Sequence, residues 1–375
     1  MQGAGGLLPL PAQGAMAVDM LHRLTLSQVR RETADAVSLV FDIPKALAGR
    51  FAFTPGQYLT LEAEIDGEPV RRSYSICSGL DDGEIRVAVK RIEGGRFSTF
   101  ANRGLEAGSI LGVAQPRGRF IVPPARKNDR VFLAVVVGSG ITPVLSIART
   151  VLAREPHSQF VLVCGNRRKQ DILFRSQIDK LAEDFAPRLV VRHVLSREPV
   201  GAGLLEGRID GVKLAAVLGE CAMPISAIDH ALLCGPPDMV SHLSASLHVA
   251  GLSPGSIHAE SFHAVVAPVS ASPGRAQEAD EPPRQIEIRL DGRSFVIDAR
   301  PAETIVDAAR RSGIKVPYSC GGGTCGSCVA KLVDGFADTI SQAALEPWER
   351  EAGFVLTCQS RPGPDGVVVD YDAAF

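Results

Sequence analysis

The sequence predicts three folded domains in one chain: an antiparallel β-barrel, an α/β domain built on a parallel sheet, and a compact α+β domain. Three observations carry this. The chain has 375 residues, more than a single hydrophobic core usually accommodates. Its texture changes near Arg130 from short alternating runs to apolar strands that alternate with helix-like stretches. A further change follows residue 284, where a hairpin signal and a crowded group of cysteines begin. The expected boundaries are a tail at 1–20, the barrel at 21–125, the α/β domain at 126–263, a linker at 264–284 and the α+β domain at 285–375.

Residues 1–17 are rich in Gly, Pro and Ala and have no basic segment ahead of an apolar core, so they read as a disordered tail rather than a secretion signal. Met16 and Met20 stand as alternative starts, because patterned sequence begins near Leu21. From there to Val122, runs at 38–43, 58–65, 85–90 and 109–113 are separated by Gly, Pro and Asp clusters, the spacing of a small antiparallel barrel. Beyond Arg130 come VFLAVVVG, a helix-like stretch to Ala153, FVLVCG, a second helix-like stretch, LVVRHVLS and HALLCG. Strands alternating with helices imply a parallel sheet. Pro, Ser, Ala and charge without periodicity mark 264–284 as a linker. After it, two strand-like runs flank Asp291-Gly292, a hairpin turn, and 303–312 has the pattern of a short helix.

Lys and Arg number 40 against 42 Asp and Glu, a balance that argues against nucleic acid or an anionic membrane as the main partner. No apolar run reaches the roughly 18 residues of a membrane-spanning helix. Four of the eight cysteines crowd into the last fifth of the chain. That is metal-ligand grouping rather than a disulfide framework, and it implies a reducing compartment, the cytoplasm.

Those four are Cys320-x4-Cys325-x2-Cys328 and, after a long gap, Cys358, the spacing of plant-type [2Fe–2S] ligation. Thiolates are soft ligands that suit iron–sulfur clusters or zinc. Gly321, Gly322, Gly323 and Gly326 let a loop adopt unusual φ values close to a cluster. Zinc is the alternative, but zinc sites more often use two short cysteine pairs. Cys77, Cys164 and Cys221 read as small buried residues.

Two further motif groups are weaker taken singly. Arg72-Ser73-Tyr74-Ser75 closes a strand-like run in the barrel, and Gly94-Gly95-Arg96-Phe97-Ser98-Thr99 follows one strand later. An arginine fork suits a pyrophosphate, a tyrosine ring packs on a flat heterocycle, and a Gly-rich turn entering a helix offers N–H groups to phosphates. Taken alone, an ordinary strand aromatic and a surface cation are the favoured readings of Tyr74 and Arg72. In the α/β region VFLAVVV runs into Gly138-Ser139-Gly140-Ile141-Thr142-Pro143, a strand–turn–helix in which Pro143 replaces the third glycine of a dinucleotide fingerprint. The last apolar strand ends in Cys234-Gly235-Pro236-Pro237, at the sheet edge where such folds bind ligands.

Taken together and in order, RSYS, GRFST, GSGITP, CGPP, Glu260-Ser261-Phe262 and the four-cysteine spacing resemble the ferredoxin–NADP reductase superfamily with a C-terminal ferredoxin, over about residues 21–371. Within it, the VLTCQ context of Cys358 and the preceding LEPWE are similar to reductase components of multicomponent oxygenases. The resemblance implies an FAD-binding β-barrel, an NAD(P)-binding α/β domain and a β-grasp [2Fe–2S] ferredoxin domain. It implies that Arg72, Ser73, Tyr74 and Ser75 hold FAD, with Tyr74 against the isoalloxazine and Ser75 near its reactive nitrogen. Val89 and Lys90 join that set, and Gly95, Phe97, Ser98 and Thr99 contact the FAD phosphates. Gly138, Gly140, Ile141, Thr142 and Pro143 shape the nicotinamide dinucleotide site. Cys234, with Gly235 and Pro236, lies beside the nicotinamide, Glu260 is a nearby carboxylate, and Phe262 covers the other flavin face. Ser75, Cys234 and Glu260 are the catalytic candidates, and Cys320, Cys325, Cys328 and Cys358 the cluster ligands.

Such a protein takes a hydride from NAD(P)H onto FAD and passes electrons singly through the cluster to an acceptor protein, expected to be a non-haem iron oxygenase or hydroxylase. At the end of the second α/β strand, Asn166-Arg167-Arg168-Lys169 contains no acidic residue to take a ribose diol, so Arg167 and Arg168 lean the reading slightly to NADPH, with NADH the alternative and a solvated turn an almost equal reading of these cations. Reductases of desaturases or hybrid-cluster proteins share the layout. A non-catalytic redox sensor is the reading from another class, and it predicts damaged flavin or nicotinamide motifs, which are intact here.

Overall fold

The computed structural model describes residues 21–125, 129–199, 201, 203–262, 282–300, 302–318, 321–323, 326–342, 344–345 and 347–374. The expected tail, most of the expected linker, and Cys320 and Cys325 lie outside the described residues. The chain divides into two compact units, within 21–268 and within 269–375.

The first unit begins with β1 (His22–Thr33), β2 (Ala36–Asp42), β3 (Tyr58–Ile65), β4 (Glu68–Ser75), β5 (Ile85–Lys90) and β6 (Ile110–Val113), in the order β4-β3-β6-β1-β2-β5. All neighbours are antiparallel. Leu24 and Leu26, Val37, Leu39 and Phe41, and Leu59 and Leu61 alternate along their strands and meet in one core, the period-two pattern that makes a half-buried strand. A bridge between Ile76 and Val87 joins the two ends of the sheet and closes the barrel. Helix α1 (Arg96–Gly104) lies between β5 and β6 and buries Phe97 and Ala101 in the same core.

Next come β7 (Val131–Val137), α2 (Ile141–Arg154), β8 (Gln159–Asn166), α3 (Arg175–Asp184), β9 (Leu189–Leu195), α4 (Gly211–Glu220), β10 (His230–Gly235), α5 (Pro237–Val249) and β11 (Ile257–Ser261). The sheet is parallel with the order β11-β10-β7-β8-β9. One face packs Phe132, Ala134, Val136, Phe160 and Leu162 against α2 and α3. The other packs Leu133, Val135, Val161 and Val163 against α4 and α5. A strand buried on both faces reads as an unbroken apolar run, which explains VFLAVVV and FVLVC. The strand order reverses between β7 and β10, the switch point at which open α/β sheets bind ligands.

Helix α2 also docks on the barrel. Ser146 Oγ donates to the Ser78 carbonyl at 2.6 Å, Thr150 Oγ1 accepts from the Leu80 N–H at 3.1 Å, and Arg149 and Arg154 pair with Asp82 and Asp81. The residues just after RSYS are thereby fixed to the helix that follows GSGITP.

Arg130 and Glu155 form a buried ion pair below this sheet, Nε to Oε2 at 3.1 Å, with Ser158 and the Ala125 N–H also donating to the carboxylate. Burial alone would raise the Glu155 pKa, but these donors win and hold it below the ordinary carboxylate range. Removing one partner of such a pair strands a buried charge. Glu155→Ala is therefore expected to destabilise this unit by about 3–5 kcal/mol in a urea melt at neutral pH. The difference from the parent should shrink as pH falls below roughly 4.3, where the unfolded carboxyl protonates.

The second unit contains β12 (Arg284–Leu290), β13 (Arg293–Ala299), α6 (Ile305–Arg311), β14 (Val329–Thr339), α7 (Pro347–Glu351), β15 (Phe354–Leu356) and β16 (Ser360–Asp370). Its sheet has the order β13-β12-β16-β14-β15, with β12 and β16 parallel and the other pairs antiparallel. Asp291 and Gly292 turn the β12–β13 hairpin with φ of 53° and 68°, as their type requires. Ile305, Val306, Ala308 and Ala309 of α6 pack on the sheet, completing a β-grasp arrangement. No helix among the described residues is long and apolar enough to cross a membrane.

Candidate functional site

The flavin-binding candidates sit where β4 meets α1. The Tyr74 ring packs on Phe97, centroids 5.5 Å apart at 37°, and burial keeps its phenol protonated across the accessible pH range. Ser75 is buried beside it, and Ser73 Oγ is 3.1 Å from Thr60 Oγ1. Arg72 donates to the Arg71 carbonyl at 2.6 Å. Gly94 turns the chain with φ of 70°, and Gly95 precedes α1 without a side-chain cap, which leaves the first N–H groups of the helix for an anion. A Cβ on Gly95 would run into Ser98 Oγ and Ile92, so the turn needs glycine.

The roles within this turn divide by atom. Phe97 is a core residue, its ring packed against Tyr74 and Phe100. Ser98 Oγ is engaged inside the turn, accepting from Ile92 N–H and donating to the Gly95 carbonyl. The Thr99 N–H is bonded to the Gly95 carbonyl, which leaves its hydroxyl on an open cavity of about 460 Å³ lined also by Arg96 and Phe100. Val89 is buried in the barrel, its carbonyl held by Asn102, and Lys90 lies 3.8 Å from Asp35. The Tyr74 ring, the buried Ser75 hydroxyl and the uncapped start of α1 are groups that fit a flavin diphosphate.

The nucleotide candidates converge at the sheet's switch point. Gly138 has φ of 58° and faces open space, and Gly140 packs so closely on Cys234 that a Cβ there would overlap the Cys234 carbonyl. Ile141 and Thr142 are buried at the start of α2, Thr142 Oγ1 donating to the Ser139 carbonyl at 2.9 Å, and Pro143 is buried in its first turn. Cys234 pairs with Glu260 and Gly235 with Ser261 across β10 and β11. The Cys234 thiol reaches Glu260 Oε2 at 3.9 Å, and the Phe262 N–H donates to the Gly235 carbonyl at 2.8 Å. Pro236 caps the start of α5. Burial pushes the Glu260 carboxyl up to about 8, an effect that the Cys234 thiol hydrogen bond partly offsets. Burial and the neighbouring carboxylate both push Cys234 up.

Arg167 and Arg168 are exposed at the end of β8, next to the glycine turn because Gly165 pairs with Val137. Contrary to the expectation from sequence, a carboxylate does stand at this strand end: Glu198, delivered by the loop after β9, accepts the Lys169 N–H at 2.8 Å. Lying 29 residues away in sequence, it left no local signal.

In the second unit Cys328 and Cys358 are buried with their sulfurs 3.2 Å apart, too far for a disulfide bond of about 2.05 Å and close enough to share one centre. A network built from Thr357 and Gln359 of the VLTCQ stretch and from Tyr371 holds them. Tyr371 Oη donates to Thr357 Oγ1 at 2.8 Å, and Thr357 Oγ1 donates to the Cys328 carbonyl at 2.8 Å. Gln359 Nε2 donates to the carbonyls of Gly321 and Cys358, both at 2.9 Å, tying the glycine loop to the last cysteine. Gly321, Gly323 and Gly326 have φ of 65°, 74° and 67°, left-handed backbone that glycine alone adopts freely. Two facing thiols and a loop of this conformation fit an iron–sulfur cluster. Cys77 and Cys164 are buried, as expected, and Cys221 is half-buried.

Three family comparisons match these three regions: an oxidoreductase FAD-binding domain over residues 23–121, an oxidoreductase NAD-binding domain over 135–245, and a 2Fe-2S iron-sulfur cluster binding domain over 288–363. One subunit of the 1,2-phenylacetyl-CoA epoxidase of Escherichia coli (strain K12) is 41% identical over 354 residues, covering 94% of this chain and 98% of the relative. The chain belongs to the family of oxygenase reductase components. The ferredoxin reductase component of the 3-ketosteroid-9-alpha-monooxygenase of Rhodococcus rhodochrous is 33% identical, over 93% of this chain and 96% of that one. Among solved structures, phthalate dioxygenase reductase, described as a modular structure for electron transfer from pyridine nucleotides to [2Fe-2S], covers 94% of this chain and 98% of its own. Its TM-score is 0.59 at 26% identity. An oxygenase reductase component carries electrons from NAD(P)H by way of FAD and a [2Fe–2S] cluster, which fixes the class of this chain's activity.

Proposed function

We propose that this chain is the cytoplasmic, NADPH-preferring reductase of an oxygenase that epoxidises an aryl-acyl thioester, its acceptor being the oxygenase part of a phenylacetyl-CoA epoxidase. The near full-length 41% identity to one subunit of that system carries the reading, against 33% for the steroid monooxygenase reductase. The proposed division is FAD at 21–125, NAD(P) at 126–263 and the ferredoxin at 285–375. Bound FAD supplies hydride acceptance and one-electron release, and the cluster supplies single-electron carriage.

The chain's own residues position these groups. Tyr74 and Ser75 bound the isoalloxazine, Phe262 covers its far face, and the N–H groups opening α1 hold the diphosphate with Arg72. Gly138 and Gly140 let the nucleotide backbone approach the switch point, while Cys234 and Glu260 line the nicotinamide side. Cys320, Cys325, Cys328 and Cys358 ligate the cluster. The free, buried Cys77, Cys164 and Cys234 accord with a reducing compartment. Mixing the purified chain with the remaining subunits of the phenylacetyl-CoA epoxidase, phenylacetyl-CoA and NADPH should yield the epoxide, and absence of product with an active flavin would refute this acceptor.

Arg167 and Arg168 are assigned to the 2′-phosphate. Arg168→Ala is then expected to raise KM for NADPH about tenfold, the loss of one charge-assisted contact, and to leave KM for NADH unchanged. Equal effects on the two nucleotides in ferricyanide assays would remove these arginines from the phosphate site.

A further inference from the structure

Among the described residues, seven large apolar side chains are exposed, and three of them, Val333 (45%), Phe336 (65%) and Ile340 (53%), lie within eight residues on and just beyond β14. Two are exposed for a structural reason. The β14–β16 ladder breaks register between Leu332 and Asp334 and again between Gly335 and Ala337. Val333 is thus the extra residue of a bulge, the device by which a strand re-aims a side chain, whereas at the second break the excess lies on β16, whose residues 363–366 stand against Phe336 alone. Opposite Phe336 stands Gly363, whose missing side chain leaves the ring uncovered: a Cβ there would come within 3.2 Å of Phe336 Cδ1. The third residue reaches the redox centre, because the Ile340 N–H donates to the Gln359 carbonyl at 2.7 Å, and Gln359 adjoins Cys358.

Along this stretch β14 is also open on one side. Its pairing with β15 covers only residues 329–331, so among the described residues 333–339 have β16 on one edge and no strand on the other. The bulge at Val333, the second break in register and the exposed Asp334 and Asp338 blunt that edge against strand addition, which leaves side-chain contact as its mode of binding. Asp338 faces half-buried Arg361 in the ladder, Lys331 lies over the Phe354 ring, and Asp334 and Asp365 carry no ion pair among the described residues. Residues 284–375 contain ten Lys and Arg against thirteen Asp and Glu. An apolar strip rimmed by carboxylates fits a basic-rimmed apolar socket.

We infer that Val333, Phe336 and Ile340 form the anchor by which the ferredoxin unit docks its electron acceptor, a separate protein with such a socket beside its redox centre; this rests on the reductase reading above. The flavin unit is the less suitable occupant on physical grounds. It shares a chain with the ferredoxin, so tethering already supplies a high effective concentration without a built anchor. Two separate proteins must generate their own affinity, and a few desolvated apolar residues generate most of it. Exposed carboxylates steer the encounter.

The test is the double variant Val333→Ser with Phe336→Ser, both at exposed positions. Its cluster should bleach with NADPH in anaerobic stopped flow at the parental rate. KM for the oxygenase subunits of the phenylacetyl-CoA epoxidase should rise about tenfold with kcat retained, as for the loss of one hot-spot residue. An unchanged KM would overturn the inference, and slowed cluster bleaching would reassign the strip to the flavin unit. If the parent chain itself fails to drive that epoxidase, the acceptor assignment falls instead. The strip is then judged on cytochrome c, a basic one-electron acceptor, where the same tenfold rise is required.

Discussion

Cys358→Ser is expected to abolish electron delivery to protein acceptors while leaving the flavin half of the molecule working. A serine hydroxyl is a hard, high-pKa ligand in place of a soft thiolate, and a cluster of two irons has no spare donor to replace it. Loss of outer-shell partners alone costs metal sites 10–100-fold, so loss of a direct ligand should lower cytochrome c reduction by at least about 100-fold. Cys358 sits opposite Cys328 at 3.2 Å and is bracketed by Thr357 and Gln359, which hold the Cys328 carbonyl and the Gly321 loop. The change therefore removes the point on which that network closes. Residues 21–268 form a compact unit of their own, so NADPH-dependent ferricyanide reduction should stay within about twofold of the parent, a difference of under 0.5 kcal/mol. The visible spectrum separates the outcomes: flavin bands persist and the broad iron–sulfur envelope disappears. A variant that retains the envelope would remove Cys358 from the ligand set, and one that loses both activities would mean that the flavin unit depends on the cluster for its fold.

What the sequence revealed depended on range. Alternating runs became β3, β5 and β6 almost residue for residue, because a period-two pattern is a local property of one buried face. The hairpin at Asp291-Gly292 was equally legible, since its turn type demands those residues. Strand β1 was not, for its burial is interrupted after Leu26 by a run of exposed and half-buried residues. The cysteine spacing was readable without a structure because three of the four expected ligands fall in one short glycine-rich loop. Their supports were legible only in part: Thr357 and Gln359 are letters of VLTCQ, but the hydrogen bonds they and Tyr371 make have partners that the motif does not name. Glu198 was hidden for the same reason, as was the bulged course of β14, where Gly335 and Gly363 are ordinary letters until the ladder shows what stands opposite them.

Gly140→Ala tests the meeting of two motifs that lie almost a hundred residues apart. Gly140 has φ of −60°, an angle any residue adopts, so backbone strain plays no part in the expected effect. Space does: an added methyl group would enter the Cys234 carbonyl and lie 3.2 Å from its sulfur. The obstacle is the backbone of a central strand, hydrogen-bonded to β7 and β11 on either side, so it has little room to move. The glycine turn must shift away, at a cost of about 1–3 kcal/mol of stability. On the proposal that this turn sets where the nucleotide lies, a displacement near 1 Å should slow flavin reduction by NADPH roughly 100-fold. Dithionite, which needs no binding site, should bleach the flavin at the parental rate. Gly138→Ala makes the contrast, for Gly138 has open space around it but a φ of 58°, so alanine there meets conformational strain of about 1 kcal/mol without a clash. If Gly140→Ala slows NADPH no more than Gly138→Ala does, the approach of the turn to Cys234 is a packing detail. If it slows NADPH far more while both fold, contact between the two glycine-bearing strand ends is what places the nicotinamide against the flavin.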